Sequence, residues 1–259
     1  MIRVLSFLRL RSVRASVVLA CAVLGGVFAG AGAQAASLQI SPVSISLRAN
    51  QAAGGISLQN LGDKPVYGQV RVFSWDQRNG EDVLTPTDEL VASPPIIEVG
   101  AKGSQTIRLV RKGGAGTAGP ERTYRLLIDE IPRDDEQASG VAIRLQYSVP
   151  VFVAPGDEAA APALAWTVQR KNDAWVLRVQ NTGTRHAQVG AASLVDAAGK
   201  ETELSKGLLG YALAGREREW RLPFAPAARV AAPLTVRANV NARATSAAAS
   251  VAAESAGGK

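Results

Sequence analysis

The chain has 259 residues, with 29 Lys and Arg against 22 Asp and Glu, a formal charge of +7, one histidine and one cysteine. A lone histidine, His186, excludes multi-histidine metal sites, and a lone cysteine, Cys21, excludes an internal disulfide. The charge is no nucleic-acid signature: Arg3, Arg9, Arg11 and Arg14 sit in one amino-terminal segment without acids, which takes +7 down to +3 elsewhere, and the remaining bases alternate with acids rather than forming a dense stripe.

That segment, residues 1–35, reads as a secretory signal peptide. The four arginines form the positive region, Ala15 to Ala29 an apolar run, and Ala33-Gln34-Ala35 a small-residue cleavage site. No other stretch is long and apolar enough to span a bilayer. The mature chain, from about Ala36, is therefore expected to be soluble after export, with no direct membrane insertion and a core that holds without disulfides.

From Ser37 to Pro155 short apolar and β-branched runs alternate with turn residues. Leu38 to Leu47, Gly55 to Gln59, Val66 to Trp75, Gln105 to Arg111, Thr123 to Ile131 and Val141 to Val153 are strand candidates. Asn60-Leu61-Gly62-Asp63, Arg78-Asn79-Gly80 and Ser93-Pro94-Pro95 mark turns. The last candidate is the most informative. Val141, Ile143, Leu145, Tyr147, Val149, Val151 and Val153 make one apolar face, while Ala142, Arg144, Gln146, Ser148, Pro150 and Phe152 make the other. It exceeds the usual five or six residues of a strand, and Pro150, which lacks an N–H, places it at an edge. An edge strand with a continuous apolar face can pair with another chain.

Residues 155–163 are Gly-, Ala- and Pro-rich and read as a linker. Strand candidates resume at Leu164 to Gln169, Ala174 to Gln180, Ala187 to Val195, Glu219 to Leu222 and Leu234 to Val240. Ser57-Leu58-Gln59-Asn60-Leu61-Gly62 and Arg178-Val179-Gln180-Asn181-Thr182-Gly183 each run a strand into an Asn-x-Gly turn. A tandem of related sandwiches accounts for that echo, and so does a shared turn type. The expected fold is all-β: two immunoglobulin-like sandwiches, 36–154 and 164–241, in an angled tandem with a cleft between them. Residues 242–259, rich in Ala, Ser and Gly, are expected to be disordered.

No catalytic constellation emerges. Lys112-Gly113-Gly114-Ala115-Gly116 places its lysine before the glycines with no helix to follow, so it is a loop and not a phosphate cradle. Asp129 and Glu130 are adjacent in a strand and point to opposite faces, and Asp134, Asp135 and Glu136 fall in a loop. The expectation is a protein that is not an enzyme and needs neither metal nor cofactor.

Tyr124-Arg125-Leu126-Leu127-Ile128-Asp129-Glu130-Ile131-Pro132, a polar loop and the alternating strand to Pro155 resemble a hairpin of PapD-like periplasmic pilus chaperones. Ser93-Pro94-Pro95, the Gly100 to Leu109 run and Gln59-Asn60-Leu61-Gly62 follow in the family's order. Arg71-Val72-Phe73-Ser74-Trp75 resembles the archaic branch, which serves spore-coat-U-like pilins. The resemblance implies a periplasmic protein that lends an edge strand to complete a pilin subunit and delivers it to an outer-membrane usher. It implies that Val141, Ile143, Leu145 and Tyr147 enter the subunit, although a face turned to the chain's own core fits the alternation equally. Many members grip the subunit's terminal carboxylate with an arginine and a lysine. The matching positions here hold Ser44 and Pro150, so Arg125, and less strongly Arg144 and Arg48, are the anchor candidates. Two other readings remain: an exported structural or adhesive surface subunit, and an exported enzyme or carbohydrate-binding module.

Overall fold

A computed structural model describes residues 38–113, 120–132, 144–157 and 159–252. These hold eighteen strands and no helix. The proposed signal peptide, Val141, Ile143, the acids at 134–136 and most of the glycine-rich loop lie outside the described residues.

The first domain is built from β1 (Leu38–Ser41), β2 (Ile45–Leu47), β3 (Ala53–Asn60), β4 (Val66–Arg78), β5 (Glu81–Pro86), β6 (Leu90–Ser93), β7 (Ile96–Val99), β8 (Ser104–Arg111), β9 (Arg122–Glu130) and β10 (Gln146–Val153). One sheet runs β1-β3-β8-β6. The other runs β2-β10-β9-β4-β5, with β7 also on β4. The run expected from Leu38 to Leu47 is thus two strands, one in each sheet. Alternate residues of the two sheets meet in one core. Ile56, Leu58, Ile107 and Leu109 from the first pack with Val70, Leu126, Ile128, Val149 and Val151 from the second. Each fully buried aliphatic side chain contributes about 1.5–3 kcal/mol, and this core substitutes for the missing disulfide.

The second domain comprises β11 (Leu164–Lys171), β12 (Ala174–Asn181), β13 (Ala187–Val195), β14 (Glu201–Ser205), β15 (Gly210–Ala212), β16 (Glu217–Arg221), β17 (Leu234–Val240) and β18 (Arg243–Val251). They pair in the order β14-β13-β17-β18-β11-β12-β16, with β15 on β13. Trp166, Leu177, Val189, Leu194, Val236 and Ala249 come from strands across this path yet share one core, so the sheet folds over upon itself with β14 and β16 at its open ends.

The two Asn-x-Gly motifs are structurally equivalent. Asn60 and Asn181 are both fully buried. Asn60 Nδ2 donates to the Lys64 and Val99 carbonyls at 2.7 and 3.0 Å, while its Oδ1 accepts from Gly62 N at 2.9 Å. Asn181 Nδ2 donates to Arg185 and Ala212 at 2.8 and 3.0 Å, and its Oδ1 accepts from Gly183 N at 3.0 Å. The same offsets recur, four residues on and two residues on. A buried amide here satisfies backbone groups that a turn would otherwise orphan. Gly183 is required because a Cβ there would lie 2.2 Å from the Ala161 carbonyl oxygen.

The carboxyl-terminal tail departs from expectation. Residues 243–251 are not disordered; they form β18, paired with β17 along Arg243–Ala249 and with β11 along Ala249–Val251. Its side chains are small because the strand contributes backbone pairing, with only Ala249 buried.

Candidate functional site

β10 pairs with β9 along its whole length, Gln146 to Val153. On its other side β2 covers only Val151 to Val153. Among the described residues, Gln146 to Pro150 therefore present an unpaired backbone edge. The alternating apolar residues divide along the strand. Val149, Val151 and Val153 are buried in the domain's own core, so for them the face turns inward. Tyr147 is half-buried, packs against that core and donates from its hydroxyl to the Leu38 carbonyl at 3.2 Å. Leu145, half-buried and in line with it, precedes the strand and is held by Glu130: its carbonyl accepts from Glu130 N at 3.1 Å. The apolar face thus starts inside the sandwich and continues outward past its rim.

On the opposite face, Pro150 lies directly across from Arg125, and Arg125 directly across from Phe73. Ser44 immediately precedes Ile45, whose partner Val151 follows Pro150, so Ser44, just ahead of β2, falls in line with the Pro150–Arg125 pair of β10 and β9. The Arg125 guanidinium lies 3.6 Å from the centroid of the Trp75 ring and 5.5 Å from that of Tyr211. Burial lowers its pKa from the ordinary arginine value, offset in part by Asp82. Among the described residues no carboxylate hydrogen-bonds or ion-pairs with it. Arg144 and Arg48 are exposed at the two ends of this region. One row nearer the rim, Arg71 grips Asp129 at 2.8 Å and Gln146 donates to the same carboxylate. Burial alone would raise the Asp129 pKa, but those hydrogen bonds outweigh it and hold the carboxyl below its usual value.

This face meets the second domain. Trp75 and Phe152 pack with Tyr211 and Leu213 in a small aromatic cluster, the Trp75 and Tyr211 rings edge-on at 5.3 Å. Phe152 stacks on His186 at 3.6 Å. His186 N and Nδ1 both meet Glu121 Oε2, at 2.7 and 2.6 Å. The β4–β5 turn docks on β16, where the Gly80 carbonyl accepts from Arg218 at 2.6 Å and from Glu219 N at 3.1 Å.

Residues 37–158 match the family model described as pili and flagellar-assembly chaperone, PapD N-terminal domain. The first domain is a PapD-type pilus-chaperone domain. Among solved structures the chain is similar to a chain of the CsuC–CsuE chaperone–tip adhesion subunit pre-assembly complex from archaic chaperone-usher Csu pili of Acinetobacter baumannii. That likeness has 23% identity and a TM-score of 0.67, covering 84% of this chain and 100% of that one. It is also similar to the chaperone YadV, at 18% identity, TM-score 0.61, 82% and 99% coverage. The E. coli chaperone DraB matches at 19% identity, TM-score 0.56, 83% and 97% coverage. These likenesses extend the shared fold over both immunoglobulin-like domains. No curated protein sequence matches the chain.

In the PapD-type domain the structure brings Tyr147, Leu145 and Arg125 to β10 and its neighbour, and leaves Arg48 and Arg144 exposed. The sequence reading missed the contact between domains: Trp75, Gln77, Glu121, Phe152 and His186. One signal was available. Phe152 is the one large apolar residue on the polar side of its strand, and it turns that way because the second domain covers it.

Proposed function

We propose that this protein is a periplasmic chaperone that binds pilin subunits, keeps them folded and delivers them to an outer-membrane usher. The unpaired edge of β10 over Gln146 to Pro150, with Tyr147 and Leu145 extending the apolar face outward, carries the reading. Such an edge accepts a partner backbone as an added strand, and alternate side chains fill the partner's groove. Val141 and Ile143 continue the same alternation in sequence. Four side chains at about 1.5–3 kcal/mol each are comparable with the about 4–15 kcal/mol that association costs. Main-chain pairing and a charged anchor then decide whether capture is tight.

Arg125 is that anchor. It lies in the row of Ser44 and Pro150, is half-buried, and has no carboxylate partner among the described residues, so a subunit's terminal carboxylate can take both edges of the guanidinium fork. The likeness to a chain of an archaic pre-assembly complex supports spore-coat-U-like pilins as the subunit class.

Co-purification of the tagged full chain from periplasm tests the reading. Recovery of a small pilin-like partner, abolished by Leu145→Asp in a folded chain, supports it. Recovery of the protein in surface fibres would make it a structural subunit instead.

A further inference from the structure

We propose that Gln77 is a positioning residue for the Arg125 site, acting through the two rings that flank the guanidinium. It rests on the reading of Arg125 as the anchor. Gln77 is polar, yet only 2% exposed. Its amide is engaged on both atoms. Nε2 donates to the Tyr211 carbonyl at 2.8 Å and to Asp82 Oδ1 at 2.9 Å, and Oε1 accepts from Leu213 N at 2.9 Å. Asp82 Oδ1 also accepts from Trp75 Nε1 at 3.0 Å. One side chain in β4 of the first domain therefore holds both walls of the box. It fixes Tyr211 through that residue's own backbone in the second domain, and Trp75 through Asp82.

The pairing with Tyr211 and Leu213 imitates a rung of a sheet between domains. Both residues are buried, so without Gln77 a carbonyl and an N–H lose their partners away from water, an unfavourable state that the second domain relieves by shifting. Tyr211 then leaves its edge-on contact with Trp75, and Arg125 loses one wall. The site is thereby a property of the two domains together, although its charge belongs to the first.

Arginine labelling with phenylglyoxal, read by peptide mass spectrometry on the full chain, tests the arrangement without a partner. Gln77→Met should raise the rate at Arg125 several-fold while leaving Arg122, which is 52% exposed, unchanged as internal reference. Gln77→Glu keeps an acceptor for Leu213 N and loses both donors; it should act in the same direction more weakly, and it serves if Gln77→Met does not fold. An unchanged Arg125 rate in either folded variant overturns the proposal. In the periplasmic capture assay, Gln77→Met should reduce subunit recovery in the parent chain and add nothing to Arg125→Ala. Equal losses in both backgrounds would make Gln77 merely structural and overturn its positioning role. Recovery unchanged by Arg125→Ala would instead overturn the anchor itself, whatever the labelling reports of the clasp.

Discussion

Pro150 and Arg125 stand opposite each other across β10 and β9. A residue without an N–H or a charge is thus paired with a half-buried cation on the neighbouring strand, and the anchor proposed above stands one strand away from Pro150. Arg125→Ala is expected to weaken subunit binding by about 2–5 kcal/mol, the range for removing one partner of a buried charge pair. Arg144→Ala and Arg48→Ala, at exposed positions, should change it far less. Calorimetry with the purified subunit measures all three, and an Arg125→Ala chain that binds as tightly as the parent would eliminate this anchor.

The division of the apolar face along β10 separates two outcomes. Leu126→Ala, at a fully buried core position, should cost about 2–5 kcal/mol of stability, and Val151→Asp should prevent folding. Leu145→Asp and Ile143→Asp should leave the denaturation midpoint of the free chain nearly unchanged and abolish subunit capture. Unfolding of the Leu145 variant would place that side chain in the chain's own core.

Asn60→Ala and Asn181→Ala each leave buried carbonyls and an N–H without partners, and each should destabilise its own domain by about 1–3 kcal/mol. Gly183→Ala should be worse than either, because the atom its Cβ meets is backbone that cannot rotate away. Urea denaturation of the three variants ranks them.

The repeated Asn-x-Gly motif was legible in the sequence because the chemistry lies in the motif's own residues. So were Ala187–Val195 and Leu234–Val240, whose alternation is bounded by turn residues, and the observed strands have the same bounds. β5 and β14 were not, because at the edges of their sheets they are short, mixed in polarity and without a buried residue. β18 was hidden for another reason: a strand of alanine and serine pairs by its backbone, and hydrophobic periodicity does not register it. The place of Arg125 on the strand beside Pro150 was legible in the sequence, since the two lie on the arms of one hairpin. Its box was not, since Trp75 and Tyr211 meet only when the domains do.

Three of the four tyrosines should ionise late. Burial raises the pKa of Tyr124 to about 12, with help from Glu89, whose Oε2 accepts its hydroxyl at 2.7 Å. Burial also raises Tyr147, together with Glu130, and Tyr211, against Arg125. A raised folded-state value means that the unfolded chain loses its proton first. The stabilisation is complete below about pH 10 and is lost as pH rises toward about 12. Ultraviolet titration should show the late ionisation, and Glu89→Gln should bring Tyr124 down; a normal titration for all four tyrosines would contradict the packing around them.

β18 follows every other strand in sequence but lies between β17 and β11 in the sheet. A chain threaded across a membrane amino end first exposes both sides of that slot before the strand that fills it has emerged. The first domain needs no pairing beyond Val153 and can close while the second waits. Emergence from the amino end thus imposes an order of completion, and a nascent or truncated chain that stops short of Arg243 carries two open edges, which are places where copies adhere to one another.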